Sequence, residues 1–175
     1  MLLDTGLLIL RIVLGVVFIG HGAQKLFGWF GGSGLKGTTG WMSSMGLRPA
    51  GFWALMASLS EFGGGVLLLL GFLNPIGSLG IIAAMLMAIA KVHWTKGFWN
   101  AKGGYEFPLM NLTAALAIGL IGAGAFSVDS ILGIALPEPL TLIVGLIVVV
   151  LGMVAALLSE APKPVQTAQT QPQKS

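Results

Sequence analysis

The sequence has no cysteine, a single tyrosine, and charged side chains at only 9% of its positions. Without cysteine the chain cannot form a disulfide, ligate an iron–sulfur cluster or zinc through thiolates, or carry out dithiol exchange, so redox chemistry would need another carrier. The shortage of charge excludes a water-exposed globular surface, since soluble domains carry about 25% charged residues. A net charge of +3 and pI near 9.5 could suggest nucleic acid. The few basic residues, however, are scattered beside apolar segments and form no concentrated patch, so no nucleic-acid partner is expected.

What the sequence has instead is apolar length: 55% hydrophobic residues and a mean hydropathy of +0.93 over 175 residues. Lipid offers no partner to backbone amides, so runs of about 20 apolar residues must be helices, and the expected fold is an all-α polytopic transmembrane bundle forming one domain over about residues 1–160. Hydropathy places the segments at about 5–27, 50–73, 75–95, 107–125 and 139–158. Prolines punctuate their starts at Pro49, Pro75, Pro108 and Pro139, with Asn74 expected to cap the third. Asp4, Arg11 and the bulky Phe27-Gly28-Trp29 argue that the first segment is a retained helix and not a cleaved signal. From residue 161 the sequence turns to Pro, Gln, Thr and Lys and is expected to be a disordered cytoplasmic tail.

Five spans place the termini on opposite sides. One side then collects Lys25, Lys36, Arg48, Lys91, Lys96, Lys102, Lys163 and Lys174, eight of the nine basic residues, and all five tryptophans lie near it. The positive-inside rule makes that side cytoplasmic and the N-terminus external. The stretch around Trp41, Met42 and Met45 reads as a short interfacial amphipathic segment.

Ionisable groups within spans cost about 2.5–3.5 kcal/mol each on insertion scales and should have partners. Arg11 and Glu61, on antiparallel neighbours, are expected to form a structural ion pair across a depth difference of about 9 Å. His21, Gln24, Lys25, Lys91, His93, Tyr105, Glu106 and Asn111 fall at similar depth toward the basic side. Of these, His21, Lys25, His93, Tyr105 and Glu106 form the candidate binding set; snorkelling to headgroups is the alternative, and the one preferred for Lys91, Lys96 and Lys102. No spacing supports a metal or haem site. Ala115, Gly119 and Ala123 form a small-residue ridge that makes the fourth segment the expected centre of the bundle.

The run Arg11-x3-Gly15-x2-Phe18-x2-His21-Gly22-x2-Lys25-Leu26-Phe27-Gly28 resembles the DoxX family of small membrane proteins. Further matches are Glu61-x-Gly63-Gly64, Gly71, His93-x4-Phe98-Trp99, Gly103-Gly104-Tyr105-Glu106, Asn111 and Gly122-x-Gly124-x2-Ser127-Val128-Asp129. The likeness covers about residues 8–133. Ala123 stands where the family pattern usually has proline, and the fifth helix lies outside the resemblance as an addition to a four-helix core. The resemblance implies a bacterial inner-membrane protein grouped with quinone-linked oxidoreductases, working beside soluble redox partners and associated with quinone, oxidative or thiol stress. On that basis His21 and Lys25 are expected to donate to a quinone carbonyl and Glu106 to accept a proton. No covalent cofactor is implied, quinone being the expected ligand, and a homo-oligomer is compatible. Whether the chain is itself an enzyme stays open; if so, it is a quinone-linked subunit dependent on partners. The alternatives are a non-catalytic scaffold for soluble redox enzymes and a small-molecule permease.

Overall fold

The computed structural model describes residues 1–161, with the backbone alone at residue 138. Among the described residues all regular structure is helical: α1 (Leu2–Leu26), α2 (Gly34–Ser44), α3 (Ala50–Leu70), α4 (Asn74–Ala88), α5 (Glu106–Ile121), α6 (Val128–Leu132) and α7 (Glu138–Leu158). α4 continues through a π turn, Ile89–His93, into a 3-10 turn, Trp94–Lys96. Four helices, Leu2–Leu26, Ala50–Leu70, Asn74–Lys96 and Pro139–Leu158, have the length and hydropathy to cross a bilayer. α5 has 16 residues, about 24 Å at helical rise, yet it runs from one end of the bundle to the other. At its start Glu106 N–H bonds the Phe98 carbonyl, and near its finish the Ile118 carbonyl accepts from Asn74 at the beginning of α4. Five helices therefore run between the two ends of the bundle. We call the end where α1 finishes and α3 starts the basic end.

Helix contacts are set by residues that have no side chain to interpose. A Cβ on Gly22 would run into the backbone of Phe62, and one on Gly15 would lie 2.9 Å from the Gly65 carbonyl oxygen, so α1 and α3 meet backbone to backbone. Gly64 and Gly77 do the same between α3 and α4, with a Cβ on Gly64 3.0 Å from the Gly77 carbonyl oxygen. Around these seams pack Leu14, Phe18, Leu68, Ile81, Ile82, Ile118 and Leu142. α4, between α3, α5 and α7, is the most embedded of the long helices, in place of the expected α5. Ala115 and Gly119 are buried on α5 as the ridge implied, but Ala123 lies beyond that helix, which stops at Gly122. α7 turns Leu140, Ile143, Ile147, Val148 and Leu151 outward, an exposed apolar face suited to lipid.

α3 ends three residues before the hydropathy boundary because Gly71 adopts φ 62. Gly71 N–H bonds the Leu68 carbonyl and Phe72 N–H that of Leu67, the paired bonds of a Schellman terminus. Asn74 does not cap α4; it is already helical, and its side chain donates to Ile118 O at 2.9 Å. The cap comes from α6, where the Asp129 carboxylate accepts from Leu73 N–H at 2.9 Å and Asn74 N–H at 3.0 Å, placing negative charge at a helix N-terminus. Asp129→Ala is expected to lower stability by about 1–2 kcal/mol, with Asp129→Asn retaining part of it, as read from thermal unfolding in lipid discs. The expected disordered tail lies almost wholly outside the described residues.

Candidate functional site

The face of α1 turned to α3 carries Arg11, Gly15, Phe18, Gly22 and Lys25, spaced alternately by four and three. Because Gly22 lies against Phe62, and Gly15 against Gly65 and Leu69, this antiparallel register brings Lys25 to Glu61 and Arg11 to Gly71. The expected Arg11–Glu61 pair is therefore not formed. Glu61 is bound by the Lys25 ammonium in a salt bridge, with side-chain exposures of 8% and 25%. Arg11, fully buried near the opposite end, donates through Nη2 to the Phe126 carbonyl. There it belongs to a polar closure in which Asp4 accepts from Ala125 N–H at 3.0 Å and Gly71 O from Asp129 N–H at 3.0 Å.

Lys25 lines a cleft of about 190 Å³ together with Gln24, Gly32, Ser33, Thr38 and Trp41, and Glu61 is tied to that cleft through its bond to Lys25. The sequence alone did not reveal how this cleft is walled. Gly28 and Gly34, both at positive φ, reverse the chain after α1 so that α2 folds back over its end. Thr38 Oγ1 donates to the Lys25 carbonyl at 3.2 Å and to Gly34 O at 2.9 Å, tying α2 to α1. Thr38 and Met42 face the bundle while Lys36 and Trp41 are exposed, which realises the amphipathic segment read from the sequence. Gln24 Nε2 donates to Phe30 O at 3.3 Å and steadies the intervening loop. The result is an open recess with Lys25 among its lining residues and Trp41 as its aromatic wall.

The other candidate residues have separate occupations. His21 is exposed, with its ring 6.3 Å from that of Phe18. His93 Nδ1 lies 2.7 Å from Gly103 O, and Glu106 accepts from Asn100 N–H at 2.9 Å. Tyr105 stacks on Trp94, centroids 5.5 Å apart, and meets Phe98 edge-on at 5.6 Å. These three groups thus staple the loop between α4 and α5. No hydrogen bond or ion pair among the described residues links them to Lys25, so the expected five-residue pocket divides into a cleft and a stapled loop. Lys91, expected to snorkel, instead pairs with Glu160 at 2.7 Å. Trp53 Nε1 donates to Ser159 Oγ at 3.1 Å, so α7 is fastened to the bundle at the basic end.

Residues 6–94, which include most of α1, all of α2 to α4 and both members of the Lys25–Glu61 pair, match the DoxX family. The chain belongs to the DoxX family. It is similar to the inner membrane protein YqjF of Escherichia coli (strain K12), 32% identical over 132 residues that cover 74% of this chain and 93% of that protein. No solved structure matches it. As a DoxX-family protein with four helices long and apolar enough to cross a bilayer, it is a multi-pass inner-membrane protein. The family match takes in the cleft and stops at Trp94, before the loop that holds Tyr105 and Glu106.

Proposed function

We propose that this DoxX-family protein is the membrane component of a quinone-linked redox system and holds the carbonyl head group of a quinone-like molecule in the cleft above Lys25 and Glu61. The observation that carries the reading is a partly buried ammonium–carboxylate pair whose Lys25 lines a recess beside Trp41. At about 190 Å³ the recess is smaller than the ~300–1,000 Å³ of sites that enclose drug-sized ligands, which suits one ring with its tail left in lipid. Lys25 Nζ can donate to a carbonyl oxygen, Gln24 can donate a second hydrogen bond, and the Trp41 indole offers a face for the ring. Glu61, in contact with Lys25, replaces Glu106 as the carboxylate placed to exchange a proton there. With no cysteine in the chain, electrons would come from a soluble partner.

The scaffold reading shares that dependence on a partner and differs in leaving the cleft without a ligand. The permease reading gains no support, because the glycine seams along α3 close the space between the Lys25–Glu61 pair and the Arg11 closure. Full-length protein in lipid discs, titrated with short-tailed ubiquinone and menaquinone analogues by calorimetry, tests the proposal. Gln24→Leu and Trp41→Ala should each weaken binding by roughly threefold to tenfold, the scale of one neutral hydrogen bond or one aromatic contact. Glu106→Gln should leave it unchanged. Wild-type protein that takes up neither analogue would move the assignment to the scaffold.

A further inference from the structure

At the basic end the acidic groups are each engaged within the chain while four cations are not. Glu61 is held by Lys25, Glu160 by Lys91, and the Glu106 carboxylate accepts from the Asn100 amide. Lys36, Arg48, Lys96 and Lys102 are all exposed, and none has an acidic partner among the described residues. Interleaved with them are exposed indoles: Trp29 at 56%, Trp94 at 64% and Trp99 at 61%. At the opposite end, residues 1–11, 70–75 and 122–137 contain one basic side chain, the buried Arg11.

We infer that the basic end is a binding surface for anionic phospholipid headgroups, formed by Lys36 and Arg48 on the α2 side and Lys96 and Lys102 on the α4–α5 loop. Two observations favour lipid over an acidic soluble protein. Indoles accompany the cations, and tryptophan settles at headgroup depth, where its ring is in the acyl boundary and its N–H is wet. The cations also sit on stiff supports: Lys96 lies along Gly103, its Cδ 3.2 Å from where a Cβ there would sit, in a loop stapled by His93, Tyr105 and Glu106. Held charge at the membrane surface attracts anionic lipid at little further ordering cost, and the attraction decays within a Debye length. The surface is independent of the cleft and of any ligand it takes.

The test reconstitutes the full-length protein in phosphatidylcholine vesicles containing spin-labelled phosphatidylglycerol or spin-labelled phosphatidylcholine, and reads the immobilised fraction of each. Wild-type protein should select phosphatidylglycerol by on the order of threefold or more at low salt, falling toward parity near 1 M salt. The variant Lys36→Gln/Arg48→Gln/Lys96→Gln/Lys102→Gln should show parity at all salt concentrations, and the two paired variants intermediate values. Lys36→Arg/Lys96→Arg/Lys102→Arg should keep the selectivity, which separates charge from folding. Parity in the wild type would overturn the inference and leave the cations to an acidic soluble partner. Undiminished selectivity in a folded quadruple variant would overturn it too, by placing the lipid elsewhere.

Discussion

Gly71→Ala is expected to lower the stability of the bundle by about 3–5 kcal/mol, far more than an added methyl costs at an ordinary helix end. The position has φ 62, which charges an L-residue roughly 1–2 kcal/mol. The larger part comes from Arg11. A Cβ on Gly71 would occupy the space of its Nη1, so the guanidinium must leave the Phe126 carbonyl, a charged hydrogen bond of about 1.5–3 kcal/mol. Since Arg11 is wholly buried, displacement leaves its charge without that partner inside the fold. With Arg11→Met already in place, Gly71→Ala should cost only the backbone part. Unfolding measured by steric trapping in bicelles reads both numbers; a cost that is the same in both backgrounds would show that Arg11 does not set the size of the effect.

The same Arg11–Gly71 contact shows what the sequence made legible and what it hid. Crossing segments were legible because lipid leaves no alternative to a helix, and the boundaries at Leu26, Ala50, Asn74 and Leu158 agree with hydropathy within a few residues. Register was hidden by the way depth was judged. Counting helical rise from segment ends placed Glu61 within reach of Arg11, whereas the glycines fix the offset of α1 on α3. A usable signal was present: Gly15 and Gly22 are seven apart and share a face with Arg11 and Lys25, and Gly64-Gly65 follow Glu61 by one turn. Laid antiparallel with Gly22 against Phe62 and Gly15 against Leu69, those faces bring Lys25 to Glu61. Asp129 was recognised as a family residue but not as the cap of α4, because five residues of α6 carry no periodicity and the bond to Leu73 spans 56 positions. Equal depth also left open which of the binding set shares contacts, and His93, Tyr105 and Glu106 are engaged by their own loop while Lys25 is engaged by Glu61.

Glu61→Leu is expected to cost about 3 kcal/mol, and the double variant Lys25→Met/Glu61→Leu to recover most of it. Removing the carboxylate alone leaves an ammonium facing the seam between α1 and α3, and breaking a buried pair typically costs about 3–5 kcal/mol. The lower end applies because Lys25 keeps 25% exposure near the end of α1, where its chain can bend toward headgroups. Removing both charges restores an apolar contact of similar volume, which buried pairs commonly tolerate without loss. Steric-trap unfolding of the two single variants and the double closes the cycle. A double variant as unstable as Glu61→Leu would mean that the carboxylate serves the fold by some route other than Lys25. The recovered double variant is also the decisive reagent for the cleft: it should be nearly as stable as wild type and fail to bind a quinone head group. A pair kept only for architecture would lose nothing in that exchange, so recovered stability with lost binding would identify the charges as retained for a ligand.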